Sequence, residues 1–443
     1  MTGGATLLSL RGIQDKYLHY NPKHSFFTTS HITYEPFSLE SIQIVATGEV
    51  NFSKTSKFDL DCGAEYIAGG AFEITLPAIA NAGGDIAWIH SIGIYLIKKL
   101  SFKGQSQTYD QHYSEFIDLY TRFTISESRR HGFNDMIGEV NPFWGVINGV
   151  NENITADSRS LQFFDSAKDQ TTILIPIFFW WCNDFTQALP IGVILYSGLR
   201  LEAEFRPASE CYIVTQGAIT ATPSIVNCLL YVDGIYIDKA ARNRIAKFAQ
   251  FYVVKQTQFN DEVTVSDSTL VQKLGFTMPV SELVWGVRED AAVANNVRRY
   301  DWWDRYQGNS THGVPDETME LVTIKLSSQE IEEPRGSMFY NRYLPYKYNH
   351  TCIPKSRGVY CKPFALYPEK SMASGDVNFS QSDNNIMIFN FNNNVGADGT
   401  SAAGIGATLS GGSGKVSGIL YLFAINYNYI FISSGYMSKL YNG

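Results

Sequence analysis

Eight runs rich in β-branched and aromatic residues, at 41–47, 71–76, 94–102, 173–181, 198–205, 321–326, 385–391 and 419–432, are separated by Gly, Asn, Asp and Pro punctuation. Such a chain can bury its apolar side chains only by building sheets, so the reading is a mostly β protein. Two helical periods interrupt the pattern. One covers 114–123 and places Phe116, Leu119, Tyr120 and Phe123 on one face; the other covers 238–250 and gathers Ala241, Ile245, Phe248 and Ala249. Both are short accessories to the sheets.

At 443 residues the chain exceeds one ordinary core and predicts two domains of about 200 residues each. A strand ending at Arg206-Pro207 is followed by a polar stretch through Gly217 and Pro223, which sets the expected boundary. The expected division is an arm at 1–27, a first β domain at 28–210, a linker at 211–222 and a second β domain at 223–443. The halves echo one another. Ile97-Lys98-Lys99-Leu100 leads to Gly104-Gln105 as Ile324-Lys325-Leu326 leads to Ser327-Ser328, and the strands at 199–205 and 386–391 follow at similar steps.

The formal charge of −8 argues against a protein that coats nucleic acid, which needs a concentrated Lys/Arg surplus. The basic clusters at Arg129-Arg130 and Arg298-Arg299 are short and lie near acids. Six cysteines without a Cys-x-x-Cys pair are expected to be reduced thiols, and no secretory h-region opens the sequence. The apolar stretches at 172–182 and 418–432 read as buried strands, not membrane spans, because the first is short and Asn426 and Asn428 interrupt the second.

No motif carries catalysis, a cofactor or a metal. His112 and Glu115 have a His-x-x-Glu form but no second histidine at ligand spacing, and Ser114 with its acidic neighbours reads as a helix cap. The run 410–415 lacks the first glycine and the Ser/Thr of a phosphate loop and reads as a hairpin connection. Asp59, Asp61 and Glu65 read as exposed turn acids. Long loops at 132–160 and 289–316 are the expected exposed elaborations, with Tyr300, Trp302 and Trp303 as exposed aromatics and Asn153 and Asn309 as candidate glycosylation sites.

The segment GIQDKYLHYNPKHSFF at 12–27 reads as one helical turn, ended by Asn21-Pro22, and then an extended aromatic arm. Gln14, Asp15, Tyr17, Leu18, Asn21, Pro22, Phe26 and Phe27 define it, and its apolar side chains need a partner surface.

This segment resembles the amino-terminal signature of the major capsid proteins of nucleocytoplasmic large DNA viruses. Further stretches are similar to that family in the same order: IPIFFWWCNDFTQALPIGVI at 175–194, YVDGIYIDKAARNRIAKFAQ at 231–250, MPVSELVW at 278–285, FALYPEKSMASGDVNFSQSDN at 364–384, and FAINYNYIFISSGYMSKLY at 423–441. Ser327-Ser328 departs from the Asn-Gly found in many members. The resemblance implies an all-β chain of two consecutive eight-stranded jelly-roll β-sandwiches with short accessory helices. It further implies a homotrimeric, pseudo-hexagonal capsomer tiling an icosahedral shell. The implied partners are neighbouring capsomers and minor capsid proteins under the shell, with no direct nucleic acid and an internal viral membrane met only indirectly. The implied location is the virion, assembled in the host cytoplasm, with the arm on the inner side. The alternative from the residues alone is a two-domain β-sandwich glycan-binding protein or glycan-processing enzyme built on Trp302, Trp303 and Asp301 or Asp304.

Overall fold

Along Arg200–Phe205 and again along Ile386–Phe391, every second side chain is fully buried, the signature of a strand with one face on a core. The computed structural model describes residues 3–10, 12–23, 25–27, 29, 33–80, 86–89, 91–105, 107–138, 167, 169–214, 219–289, 303, 317–348, 350–391 and 418–441. They divide into two units, Met1–Pro36 and Phe37–Gly443.

In the larger unit, eight strands make the first sandwich: β1 (Phe37–Val45), β2 (Thr55–Asp59), β3 (Tyr66–Leu76), β4 (Ile97–Lys103), β5 (Thr108–Tyr113), β6 (Thr171–Pro176), β7 (Arg200–Phe205) and β8 (Asn227–Ile237). They pair antiparallel in two sheets, β1-β8-β3-β6 and β2-β7-β4-β5. Phe58 of β2 meets Phe72 of β3 edge-on at 5.1 Å between ring centroids, so the two inner faces interdigitate.

The second sandwich repeats this plan: β9 (Gln250–Phe259), β10 (Thr269–Lys273), β11 (Pro279–Glu289), β12 (Met319–Leu326), β13 (Gln329–Gly336), β14 (Val359–Pro363), β15 (Ile386–Phe391) and β16 (Gly418–Ser433). Its sheets run β9-β16-β11-β14 and β10-β15-β12-β13. Adding eight to each strand of the first sandwich reproduces the second, the two-Greek-key order of a jelly roll made twice. The echo read from the sequence falls on equivalent strands, β4 with β12 and β7 with β15. Between β12 and β13 the Ser327-Ser328 pair takes the hairpin turn with both φ values positive, 48° and 63°. Asn384 and Asn385 brace it: their side chains bond Ser328 Oγ at 2.8 Å and the Ser327 N–H at 3.2 Å.

The expected domain boundary is corrected. Residues 227–237, assigned to the second domain, form β8 and lie between β1 and β3, with Leu230 facing Ile44 on one side and Phe72 on the other. The polar stretch after Arg206 is an excursion within the first sandwich, because a jelly roll closes only when its last strand returns beside its first. The chain passes to the second sandwich through the Lys239–Lys247 helix. Only Ala241 of that helix is buried and Phe248 is exposed, so its expected apolar cluster does not pack. Two strand expectations shorten. Residues 92–95 form a helical turn entered through Ser91 at φ 52°, and β6 ends at Pro176 before the short Trp180–Asn183 helix.

The β9-β16-β11-β14 sheet carries two cores. Val284 of β11, Cys361 of β14 and Phe423 of β16 belong to the core that continues into the first sandwich. Their neighbours Trp285, Tyr360 and Leu422 face the second core. A sheet buried on both faces needs apolar residues at nearly every position, which accounts for the largely apolar run at 419–432. Among the described residues, no helix is long and apolar enough to cross a membrane.

Candidate assembly surface and the seam between the sandwiches

The amino-terminal unit holds a Gly3–Ser9 helix, a tight turn at Ile13–Asp15 and a helical turn at Lys16–His19. Asp15 closes its own turn: its carboxylate accepts from the Gly12 N–H at 2.8 Å. Asn21 sits at φ 51°, so the chain leaves the helical turn at Asn21-Pro22. Ile13 is 90% exposed and Phe27 97%, with Leu18, Tyr20 and Phe26 also exposed. So many exposed large apolar side chains within one short segment mark a surface to be covered. The side chains of Gln14 and Tyr17 lie outside the described residues. Edge strand β1 adds exposed Phe37, Leu39 and Val45 on the larger unit, and an open edge is itself a template for association.

Trp303 corrects the expectation of an exposed loop aromatic, for it is 1% exposed. Its indole N–H donates to Asp118 Oδ2 at 2.6 Å, and its ring stands edge-on to Tyr421 at 5.8 Å. Asp118 lies on the Ser114–Thr124 helix of the first sandwich and also accepts from the Tyr95 hydroxyl and from Arg122 Nε at 3.0 Å. Burial alone would raise the Asp118 carboxyl, but the Arg122 charge and these three donors outweigh it and hold it below the usual carboxylate range. The backbone is shaped to the indole: a Cβ on Gly286 would lie 2.5 Å from its Cε3, and one on Gly358 would overlap the Trp303 carbonyl. A large polar-tipped aromatic therefore finds its partner inside the seam. Trp303 is thereby lost to the glycan-site alternative.

The helix that carries Asp118 is buried on nearly every side, with Phe116, Leu119 and Phe123 packed as its period predicts. The capping role expected of Ser114 is replaced. Tyr113 is the N-cap, and the Ser114 hydroxyl, with the Glu115 carboxylate, holds the buried Arg206 guanidinium; the Arg206–Ser114 distance is 2.7 Å. His112 Nε2 lies 3.2 Å from Asp110 Oδ2 and its ring stacks on Phe179 at 4.5 Å, which makes it a core residue.

Backbone groups stitch the seam further. Thr257 N–H donates to Asp110 Oδ1 at 3.1 Å, Tyr109 OH to the Met437 carbonyl at 2.6 Å, and Cys352 N–H to the Phe123 carbonyl at 2.8 Å. Deeper in, His350 sits between two carboxylates, with Nε2 2.9 Å from Glu282 Oε1 and Nδ1 2.9 Å from Glu369 Oε1. Burial pulls against the imidazolium, but Glu282, Cys361 and Glu369 overcome it and hold His350 far above the usual histidine range. Burial also pushes the neighbouring Cys361 thiol up to about 12 and pulls the Lys255 ammonium down to about 8. Sequence reading missed this cluster because its members come from four separate stretches with no motif spacing.

Of the other sequence-derived sites, Asn153, Asn309, Tyr300, Asp301, Trp302, Asp304 and the 410–415 run fall outside the described residues, together with most of the loops at 132–160 and 289–316. The beginning of the first loop is instead the Glu127–Met136 helix. All six cysteines stand as free thiols.

Two family models match in tandem. One, described as the major capsid protein N-terminus, covers residues 25–267, and one described as large eukaryotic DNA virus major capsid protein covers residues 241–438. The chain is 24% identical to the major capsid protein of Phaeocystis pouchetii virus and 25% identical to that of Pyramimonas orientalis virus, each over 98% of both chains. Its fold superposes on a chain of the PBCV-1 virus capsid quasi-atomic model with a TM-score of 0.76 at 22% identity, covering 95% of this chain and 100% of that one. The Faustovirus major capsid protein gives 0.70 at 13% identity, covering 96% of this chain and 94% of that one.

Proposed function

This chain belongs to the major capsid protein family of large eukaryotic DNA viruses, and from that premise we propose that three copies close into a pseudo-hexagonal capsomer of an icosahedral shell. The observation that carries the reading is the repeat of one strand order, twice, around a shared sheet. Two like sandwiches per chain let a threefold ring offer six similar edges, so one closed oligomer can tile a hexagonal lattice. The role that family membership supports is structural, and at the seam Trp303, Asp118 and Arg206 are engaged with one another's elements through hydrogen bonds.

The exposed apolar arm is the contact that this reading assigns to assembly, docking on minor capsid proteins or neighbouring capsomers at the inner side of the shell. An internal membrane is then met only through those partners, and the virion is the site of action, with assembly in the host cytoplasm. The loops at 132–160 and 289–316, with Tyr300, Trp302 and the sequons at Asn153 and Asn309, are assigned to the outer face.

Light scattering on the purified chain tests the oligomer. Three chains of 49.6 kDa should give about 149 kDa, unchanged across micromolar dilution because obligate interfaces are large. A 49.6 kDa species at those concentrations would contradict it.

A further inference from the structure

We infer that Glu282, His350 and Cys361 form a three-ligand zinc site in the seam, with His350 oriented by Glu369. Cross-strand register places the first and last of these together. Val284 of β11 faces Cys361 of β14 and Glu282 faces Pro363, so Glu282 and Cys361 are diagonal neighbours on the sheet face turned toward the first sandwich. His350 reaches the same point from the segment before β14. Its Nε2 lies 2.9 Å from Glu282 Oε1 and 3.9 Å from Cys361 Sγ, and one ligand atom from each residue falls within 4.8 Å of the others.

The distances suit a tetrahedral zinc. With Zn–N about 2.0 Å and Zn–S about 2.3 Å, nitrogen and sulfur ligands stand about 3.6 Å apart and nitrogen and oxygen about 3.3 Å. The observed nitrogen–sulfur pair, at 3.9 Å, is somewhat longer than its value and the nitrogen–oxygen pair, at 2.9 Å, somewhat shorter. A small outward shift of the Glu282 carboxylate would complete the set, with water or the second carboxylate oxygen filling the fourth position. The mixed nitrogen, sulfur and oxygen donors suit a borderline cation better than a hard one.

The surroundings supply what a zinc-bound histidine needs. Glu369 accepts from Nδ1 at 2.9 Å, which leaves Nε2 as the ligand nitrogen. Glu369 is itself fixed by the Thr351 N–H at 2.9 Å and the Thr351 hydroxyl, and the imidazole packs on Phe123 at 5.2 Å. In binding, zinc would displace the proton from His350 Nε2 and from the Cys361 thiol, both leaving to solvent. The metal would tie β11, β14 and the segment before β14 to one another, and the helix that carries Asp118 meets the site through the Phe123 ring.

The test is zinc content of the full-length oligomer after chelator-free purification from zinc-replete cells, paired with cobalt substitution. The expected result is about one zinc per chain, with cobalt giving a thiolate charge-transfer band and the strong visible bands of tetrahedral geometry. Both should vanish in Cys361→Ser and His350→Gln. Glu369→Gln should weaken zinc about 10- to 100-fold, and Cys352→Ser, which removes a thiol outside the cluster, should leave it unchanged. A folded wild-type oligomer without zinc and without the cobalt–thiolate band overturns the inference, whether or not the variants fold. So does full zinc retention in both ligand variants.

Discussion

Replacing Trp303 by alanine should cost about 3–5 kcal/mol of unfolding free energy, the usual toll for deleting a buried large aromatic. The size follows from where the indole sits. It is almost wholly buried, it stands against Tyr421 and the bare backbone of Gly286 and Gly358, and it gives Asp118 one of its donors. Trp303→Phe separates the two contributions, since it keeps most of the packing and removes the charge-assisted hydrogen bond; the expected loss is about 1.5–3 kcal/mol. Gly286→Ala leaves both hydrogen-bond partners in place but puts a Cβ at 2.5 Å from the ring, so it should destabilise through steric displacement alone. Denaturant titration of the three variants reads these values. A Trp303→Ala protein within about 0.5 kcal/mol of wild type, the range of a neutral surface change, would mean that the seam does not hold the sandwiches together.

Removing residues 1–27 should leave a folded oligomer with a nearly unchanged melting temperature and yet abolish ordered shell formation. Ile13, Leu18, Tyr20, Phe26 and Phe27 are exposed and so contribute little to the isolated chain. Buried against a partner, each large apolar side chain is worth about 1.5–3 kcal/mol, enough together to offset ordering a short segment. Folding of such an arm is thereby coupled to assembly. Calorimetry of the truncated protein and electron microscopy of its assembly reactions give the two readouts. Unfolding on truncation would make the arm part of the core, and normal shells without it would remove its role in assembly.

The fold was legible wherever local chemistry and tertiary demand agree. Runs of β-branched and aromatic residues marked β7 and β15, the 114–124 helix carried its own period, and the repeated steps in the two halves reflected a real duplication. The boundary was not legible, because the last strand of a jelly roll is separated from its sheet by a polar excursion that looks like a linker, and only pairing with β1 and β3 reveals it. Trp303 was misread for a related reason. A tryptophan in a long polar loop reads as exposed, and nothing local announces that Asp118, far earlier in the chain, waits for its N–H. The cluster around His350 was invisible in the same way, since diagonal neighbours on adjacent strands have no sequence spacing. Of the arm, the break at Asn21-Pro22 and the apolar side chains were readable from local rules; its partner was not.

Electron microscopy of the purified oligomer, by negative stain or in ice, tests the central claim most directly. Two similar sandwiches per chain and three chains per particle should yield threefold particles with a hexagonal outline and six comparable lobes. Single two-lobed monomers with a groove between the lobes, or threefold particles with only three lobes, would contradict it.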